Sequence, residues 1–132
     1  SLFRLVVPGG APVCPGLSEL VPPAMYGSYH GMSLLPCNAA PRPVEPTVVA
    51  GPLCESGDVF TQAEGGVVLT RELPRAHPGD LLVIHDAGAY GAAMSSSYNS
   101  RPLAAEVLVD GAHHRLIRRR QTVEELLALE TI

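Results

Sequence analysis

The sequence predicts a mainly β domain, a β-sandwich or partly open Greek-key barrel of about six to eight short strands with one short C-terminal helix. Three observations carry this expectation. Glycine and proline number 13 each in 132 residues, a density that favours short strands and tight turns over long helices. Hydrophobic residues make up 46% of the chain, which suits a packed core and not a disordered segment. The apolar runs, such as Leu81-Leu82-Val83-Ile84, are short and bounded by turn signals.

The elements follow in order. Phe3–Val7 reads as a strand that stops at Pro8-Gly9-Gly10, and residues 8–16 form a loop rich in proline and glycine. Ser18-Glu19-Leu20-Val21 reads as one helical turn ahead of Pro22-Pro23. A polar-aromatic stretch runs from Tyr26 to His30. Residues 36–46 hold four prolines and form an extended connection. Thr47–Ala50 and Asp58–Gln62 are strands. Gly65-Gly66 is a turn, and Val67–Thr70 resumes the strand pattern. His77-Pro78-Gly79-Asp80 is a turn leading into Leu81–His85, which is apolar on both faces and therefore central. Ala104–Val109 ends at Asp110-Gly111, a hairpin signal, and His113–Arg118 returns from it. Thr122 and Glu125 form a capping box ahead of Leu126, Leu127 and Leu129, which marks the terminal helix.

Charge and composition exclude several functions. Nine basic and thirteen acidic residues leave a net charge of −4, so nothing attracts a polyanion and nucleic acid is not an expected partner. All the basic residues are arginines, and without lysine this chain alone cannot form a Schiff base. Cys14, Cys37 and Cys54 have no CxxC spacing, which favours a reducing, cytoplasmic setting. No apolar run is long enough to span a bilayer, and Ser1–Arg4 has no signal-peptide pattern. No metal is expected. His113 and His114 adjoin on a strand and face opposite sides, and His30, His77 and His85 lack zinc-site spacing. Arg118-Arg119-Arg120 reads as a solvated face pairing with Glu124 and Glu125.

Candidate chemistry gathers at two loops. In Cys54-Glu55-Ser56-Gly57-Asp58 a thiol and a carboxylate flank a tight turn, with Gly57 expected at positive φ and Asp58 capping it. The residues alone leave Cys54 either a packed thiol or a catalytic one. In Gly88-Ala89-Tyr90-Gly91 two glycines let backbone approach a ligand closely, or bound an ordinary loop. Ser95–Asn99 is a polar cluster open to the same two readings.

Three stretches, "LVPPAMYGSYH" (20–30), "GPLCESGDVF" (51–60) and "DAGAYGAAMSSSYNSRPLAAEVLVDG" (86–111), together resemble the C-terminal region of the diaminopimelate decarboxylase family. These are pyridoxal-phosphate enzymes of the alanine-racemase-like fold type. The resemblance covers about residues 17–120. It implies a single C-terminal β domain over 1–132, with 1–16 a residual strand and altered linker. The barrel domain that holds pyridoxal 5'-phosphate on a lysine would lie in the same chain or in a partner. It also implies a homodimer in which both subunits build each active site. The reaction implied is meso-diaminopimelate to L-lysine and carbon dioxide, with the isolated chain inactive.

Residue by residue, the resemblance makes Cys54 the proton donor to the carbon that loses its carboxylate. A thiol titrating near neutrality can serve as a general acid. Glu55 matches the residue that binds the distal amino end of the substrate. Tyr26 matches a substrate-contacting tyrosine, and Tyr90 one that reaches substrate and the cofactor near its phosphate. The pattern is broken where a carboxylate-binding arginine of the family is Pro22 here, and where the family's Asp-Ala-Gly is Pro8-Gly9-Gly10. Proline cannot make a bidentate carboxylate contact. The alternatives are therefore a domain of a related ornithine- or arginine-type decarboxylase, or a stand-alone binding or dimerisation module.

Overall fold

The structure, a computed structural model, describes residues 2–4, 11–12 and 15–131. It divides into two compact units, residues 1–95 and 96–132. Its elements are mainly strands with a few short helices, as expected, and among the described residues no sheet closes into a barrel. Eleven strands occur among the described residues, shorter and more numerous than expected.

In the first unit, β9 (Leu81–Ile84) lies between β1 (Leu2–Arg4) and β3 (Met32–Leu35), antiparallel to both. Its central place agrees with its apolar character. Leu82 and Ile84 are fully buried, and they join Leu20, Leu34, Val49, Phe60, Leu73 and Ala87 in one core. The expected first strand is observed over Leu2–Arg4, and Leu5–Val7 and the turn at 8–10 lie outside the described residues. Strand β3 had no signal in the sequence, because Met-Ser-Leu-Leu shows neither alternation nor a β-branched residue. A turn of His77 to Asp80, with Gly79 at φ +93°, delivers the chain into β9 as expected.

The helical turn expected at Ser18–Val21 lies further along, at α1 (Pro22–Tyr26). Glu19 explains the shift. Its carboxylate accepts from the Gly16 N–H (2.8 Å) and the Ser18 hydroxyl (2.7 Å), which ties residues 16–19 into a turn. The two prolines start the helix instead of stopping it, since the first helical positions have no use for an N–H. Gly27 ends it at φ +63°.

The proline-rich connection ends in a strand, β4 (Val44–Thr47), antiparallel to β8 (Arg71–Pro74). The strand expected at 47–50 is thus split, and β5 (Val49–Ala50) pairs in parallel with β2 (Ala11–Pro12), inside the stretch read as a linker. Asp58–Gln62 is also broken up. Val59 makes a single bridge to Ala50, and β6 (Gln62–Ala63) turns back to β7 (Val67–Val68) through Gly65 and Gly66, both at positive φ. Below β9, Arg42 and Asp80 form a buried ion pair. Burial alone would raise the Asp80 carboxyl, but its bonds from Arg42 and from the Cys37 and His77 N–H groups outweigh burial. They hold the carboxyl below the usual carboxylate range.

In the second unit, β10 (Glu106–Asp110) and β11 (His113–Arg118) form the expected hairpin around Gly111 at φ +58°. Helix α2 (Gly91–Met94) ends the first unit, and helix α3 (Val123–Leu126) in the second opens with the expected capping box. Arg119 pairs with Glu125, as read from the sequence, and Arg118 pairs with Glu106 at 2.9 Å.

Candidate functional site

Residues 51–58 form the loop between Ala50 and its bridge partner Val59. Gly51 N–H donates to the Asp58 carbonyl (2.8 Å) and Asp58 N–H to the Glu55 carbonyl (3.1 Å). The Gln62 side-chain amide donates to the Gly57 and Val59 carbonyls (2.9 and 2.7 Å), fastening the loop to β6. Cys54 and Glu55 stand exposed on this framework, and Cys54 is a free thiol. The Glu55 carboxylate accepts from the Gly57 N–H at 3.1 Å and the Ser56 hydroxyl at 3.2 Å. Gly57 does not take the left-handed conformation expected of it. The Asp58 N–H bond to the Glu55 carbonyl and the Gly57 N–H bond to the Glu55 carboxylate close the turn without positive φ.

Asp58 is 3% exposed. One carboxylate oxygen accepts from the Leu17 N–H at 2.6 Å and the other from the Leu53 N–H at 2.7 Å. This is more than the turn cap read from the sequence, because Leu17 is 41 residues away.

Residues 16–27 support all the candidate side chains. At Gly16 an added Cβ would lie 2.6 Å from the Leu53 side chain and 3.1 Å from Asp58 Oδ1, so this segment abuts the Cys54 loop. Leu20, 1% exposed, fills the core, and an added Cβ at Gly91 would touch it at 3.8 Å. The Tyr90 loop therefore leans on the same segment. Tyr26 ends α1, and Gly27 after it lies against backbone of Ala63 and Glu64. Tyr26 and Tyr90 are 57% and 68% exposed, so both rings are available to a ligand. Pro22, at the start of α1, is buried and has no donor to offer a carboxylate.

Two further pairs escaped the sequence reading. His30 is buried, and its Nδ1 lies 3.0 Å from the His85 carbonyl. A carbonyl only accepts, so Nδ1 carries a proton and donates. His85 in turn gives its N–H to the Gly31 carbonyl (2.8 Å), and its Nε2 meets the Ser33 hydroxyl at 2.8 Å. These bonds fasten the end of β9, where the loop to Tyr90 begins with Asp86 at φ +53°. The Arg71 guanidinium lies over the Tyr29 ring at 4.4 Å, three residues beyond Tyr26. No local spacing signals either pair. Among the described residues no group of three or more His, Cys, Asp or Glu side chains is placed to hold a metal ion, and no helix is long and apolar enough to cross a membrane.

A family model described as "Pyridoxal-dependent decarboxylase, C-terminal sheet domain" matches residues 12–88. The chain belongs to this family. The match takes in Tyr26, Cys54 and Glu55, and ends just before Tyr90. Diaminopimelate decarboxylase of Escherichia coli K12 is 63% identical over 120 residues, covering 89% of this chain and 29% of that relative. A crystal structure of diaminopimelate decarboxylase superposes with a TM-score of 0.87 at 56% identity, over 98% of this chain and 33% of its own. The Helicobacter pylori enzyme complexed with L-lysine gives 0.81 at 30% identity, over 98% and 31%. The chain thus spans about a third or less of the length of these pyridoxal-dependent decarboxylases.

Proposed function

We propose that the chain is the C-terminal domain of a longer cytoplasmic diaminopimelate decarboxylase, which converts meso-diaminopimelate to L-lysine and carbon dioxide. The observation that carries this reading is the pairing of an exposed thiol and an exposed carboxylate, Cys54 and Glu55, on a loop pinned at both ends. A barrel domain would supply the lysine, and a homodimer would bring the loop to the partner's site. Pyridoxal 5'-phosphate, when bound there, delocalises the electron pair left as the carbon–carboxylate bond breaks.

This chain fits a contributing role toward that cofactor. It has no lysine to anchor it, but the Tyr90 phenol is exposed, and a Cβ at Gly88 would meet no atom within 4 Å. The Tyr90 hydroxyl would donate to a phosphate oxygen. The Cys54 thiol gives its proton to the carbon that has lost carbon dioxide, and the thiolate regains a proton from solvent. Glu55 accepts from the distal ammonium of the substrate, and Tyr26 packs against its chain. A short pinned loop suits this task because proton delivery depends on alignment.

The test is Cys54→Ala in the full-length protein. Turnover should fall by roughly 10²–10⁴, the usual worth of a general acid, with the cofactor still bound. Unchanged turnover would remove Cys54 from the mechanism. The buried Pro22 favours one second reading, a related decarboxylase whose substrate lacks the second carboxylate. Faster turnover of ornithine or arginine than of meso-diaminopimelate in the same assay would establish it.

A further inference from the structure

We infer that Asp58 is a positioning residue: its buried carboxylate clamps the Cys54–Glu55 loop to the segment that leads into α1 and supports the Tyr90 loop. The functional part of this inference rests on the decarboxylase reading above.

The geometry is specific. Asp58 spends one oxygen on each of two chain segments, accepting from Leu53 N–H immediately before Cys54 and from Leu17 N–H in the segment that runs into α1. Its backbone closes the same loop through the Glu55 carbonyl and the Gly51 N–H. The carboxylate packs closely against two glycines. A Cβ at Gly51 would lie 2.1 and 2.4 Å from the two carboxylate oxygens, and one at Gly16 would sit 3.1 Å from Oδ1. Both N–H groups need an acceptor, and the buried site offers them this carboxylate. One carboxylate thus ties the loop that carries Cys54 to the segment that runs on to Tyr26. Such a bridge affects catalysis and not stability alone, since a misplacement of about 1 Å can cost about a hundredfold in rate.

Three variants of the full-length protein test the clamp, each measured below its melting temperature. Asp58→Asn keeps the shape but turns one carboxylate acceptor into a donor that faces an N–H. Asp58→Ala removes both acceptors, and Gly51→Ala drives the carboxylate aside while keeping the aspartate itself. In each, amide exchange in peptides covering 15–20 and 51–58 should rise about tenfold or more. The kcat of Asp58→Asn should drop by about 10- to 100-fold. That loss should vanish when Asp58→Asn is placed in a Cys54→Ala background, because alignment of an absent thiol has no value. A merely structural residue would lower kcat equally in both backgrounds, and that result overturns the inference. So does unchanged exchange in both Asp58→Asn and Gly51→Ala. Full activity of Cys54→Ala alone would overturn the role given to the thiol, and the exchange measurement would still decide whether the clamp exists. Should Asp58→Ala fail to fold, the two milder variants suffice.

Discussion

Replacing Gly27 with alanine should be among the most damaging single-methyl changes in this chain. Gly27 sits at φ +63°, where an L residue costs about 1–2 kcal/mol. Its added Cβ would lie 2.0 Å from the Glu64 backbone nitrogen and 2.5 Å from the Ala63 carbonyl carbon, against an ordinary contact of at least 3.4 Å. Neither atom belongs to a side chain that can swing away, so α1 and the turn after β6 must move apart. Forced backbone shifts of this kind cost about 1–3 kcal/mol more, for a total of about 2–5 kcal/mol. Gly65 supplies a matched control. Its φ is +76°, and nothing lies within 4 Å of its added Cβ, so Gly65→Ala should cost only the conformational part, about 1–2 kcal/mol. The assay is urea unfolding followed by far-ultraviolet circular dichroism. With a slope of about 2 kcal/mol/M, the midpoint should fall by about 1–2.5 M for Gly27→Ala and by about 0.5–1 M for Gly65→Ala. Equal shifts in the two variants would refute the close packing of α1 on β6 and the turn that follows, and with it the support given to Tyr26.

Two further outcomes are expected. The Arg119 guanidinium, and then the Thr122 N–H, hold the Glu125 carboxyl down to about 2 from its ordinary 4.5. A depressed carboxyl stabilises the fold fully above its unfolded value, so this support for α3 should be intact above about pH 4.5 and lost as pH falls toward 2. A carboxyl titration by nuclear magnetic resonance should place the Glu125 midpoint near 2, and Arg119→Ala should return it toward the ordinary value. A midpoint unmoved by that substitution would exclude the ion pair as cause. For His30, asparagine can present an N–H near the position of Nδ1 and should retain most of the stability, whereas leucine should lose about 0.5–1.5 kcal/mol with the bond to the His85 carbonyl. Equal melting temperatures for His30→Asn and His30→Leu would contradict that assignment.

The legible parts of this protein are those whose chemistry is complete within a few residues. The capping box of Thr122 and Glu125, the turn at His77–Asp80 and the hairpin at Gly111 could each be read from neighbours along the chain, and each is observed. The central place of Leu81–Ile84 was legible because a strand apolar on both faces has to be covered on both. The prolines misled where their effect depends on position. Pro22 and Pro23 begin a helix because Glu19 has already turned the chain, and Pro46 sits within a short two-stranded pairing.

Motif and composition determined which residues are candidates. Cys54, Glu55, Tyr26 and Tyr90 were named from short stretches of sequence, and the absence of lysine set what this chain cannot do alone. Tertiary structure decided what holds those candidates in place. Asp58 reaches Leu17 across 41 residues, His30 reaches His85 across 55, and Arg42 reaches Asp80 across 38. Such pairings satisfy buried polar groups, and which groups become buried together is settled only when the core closes. A side chain's identity shows what bonds it can make, and the fold alone determines which distant backbone needs them.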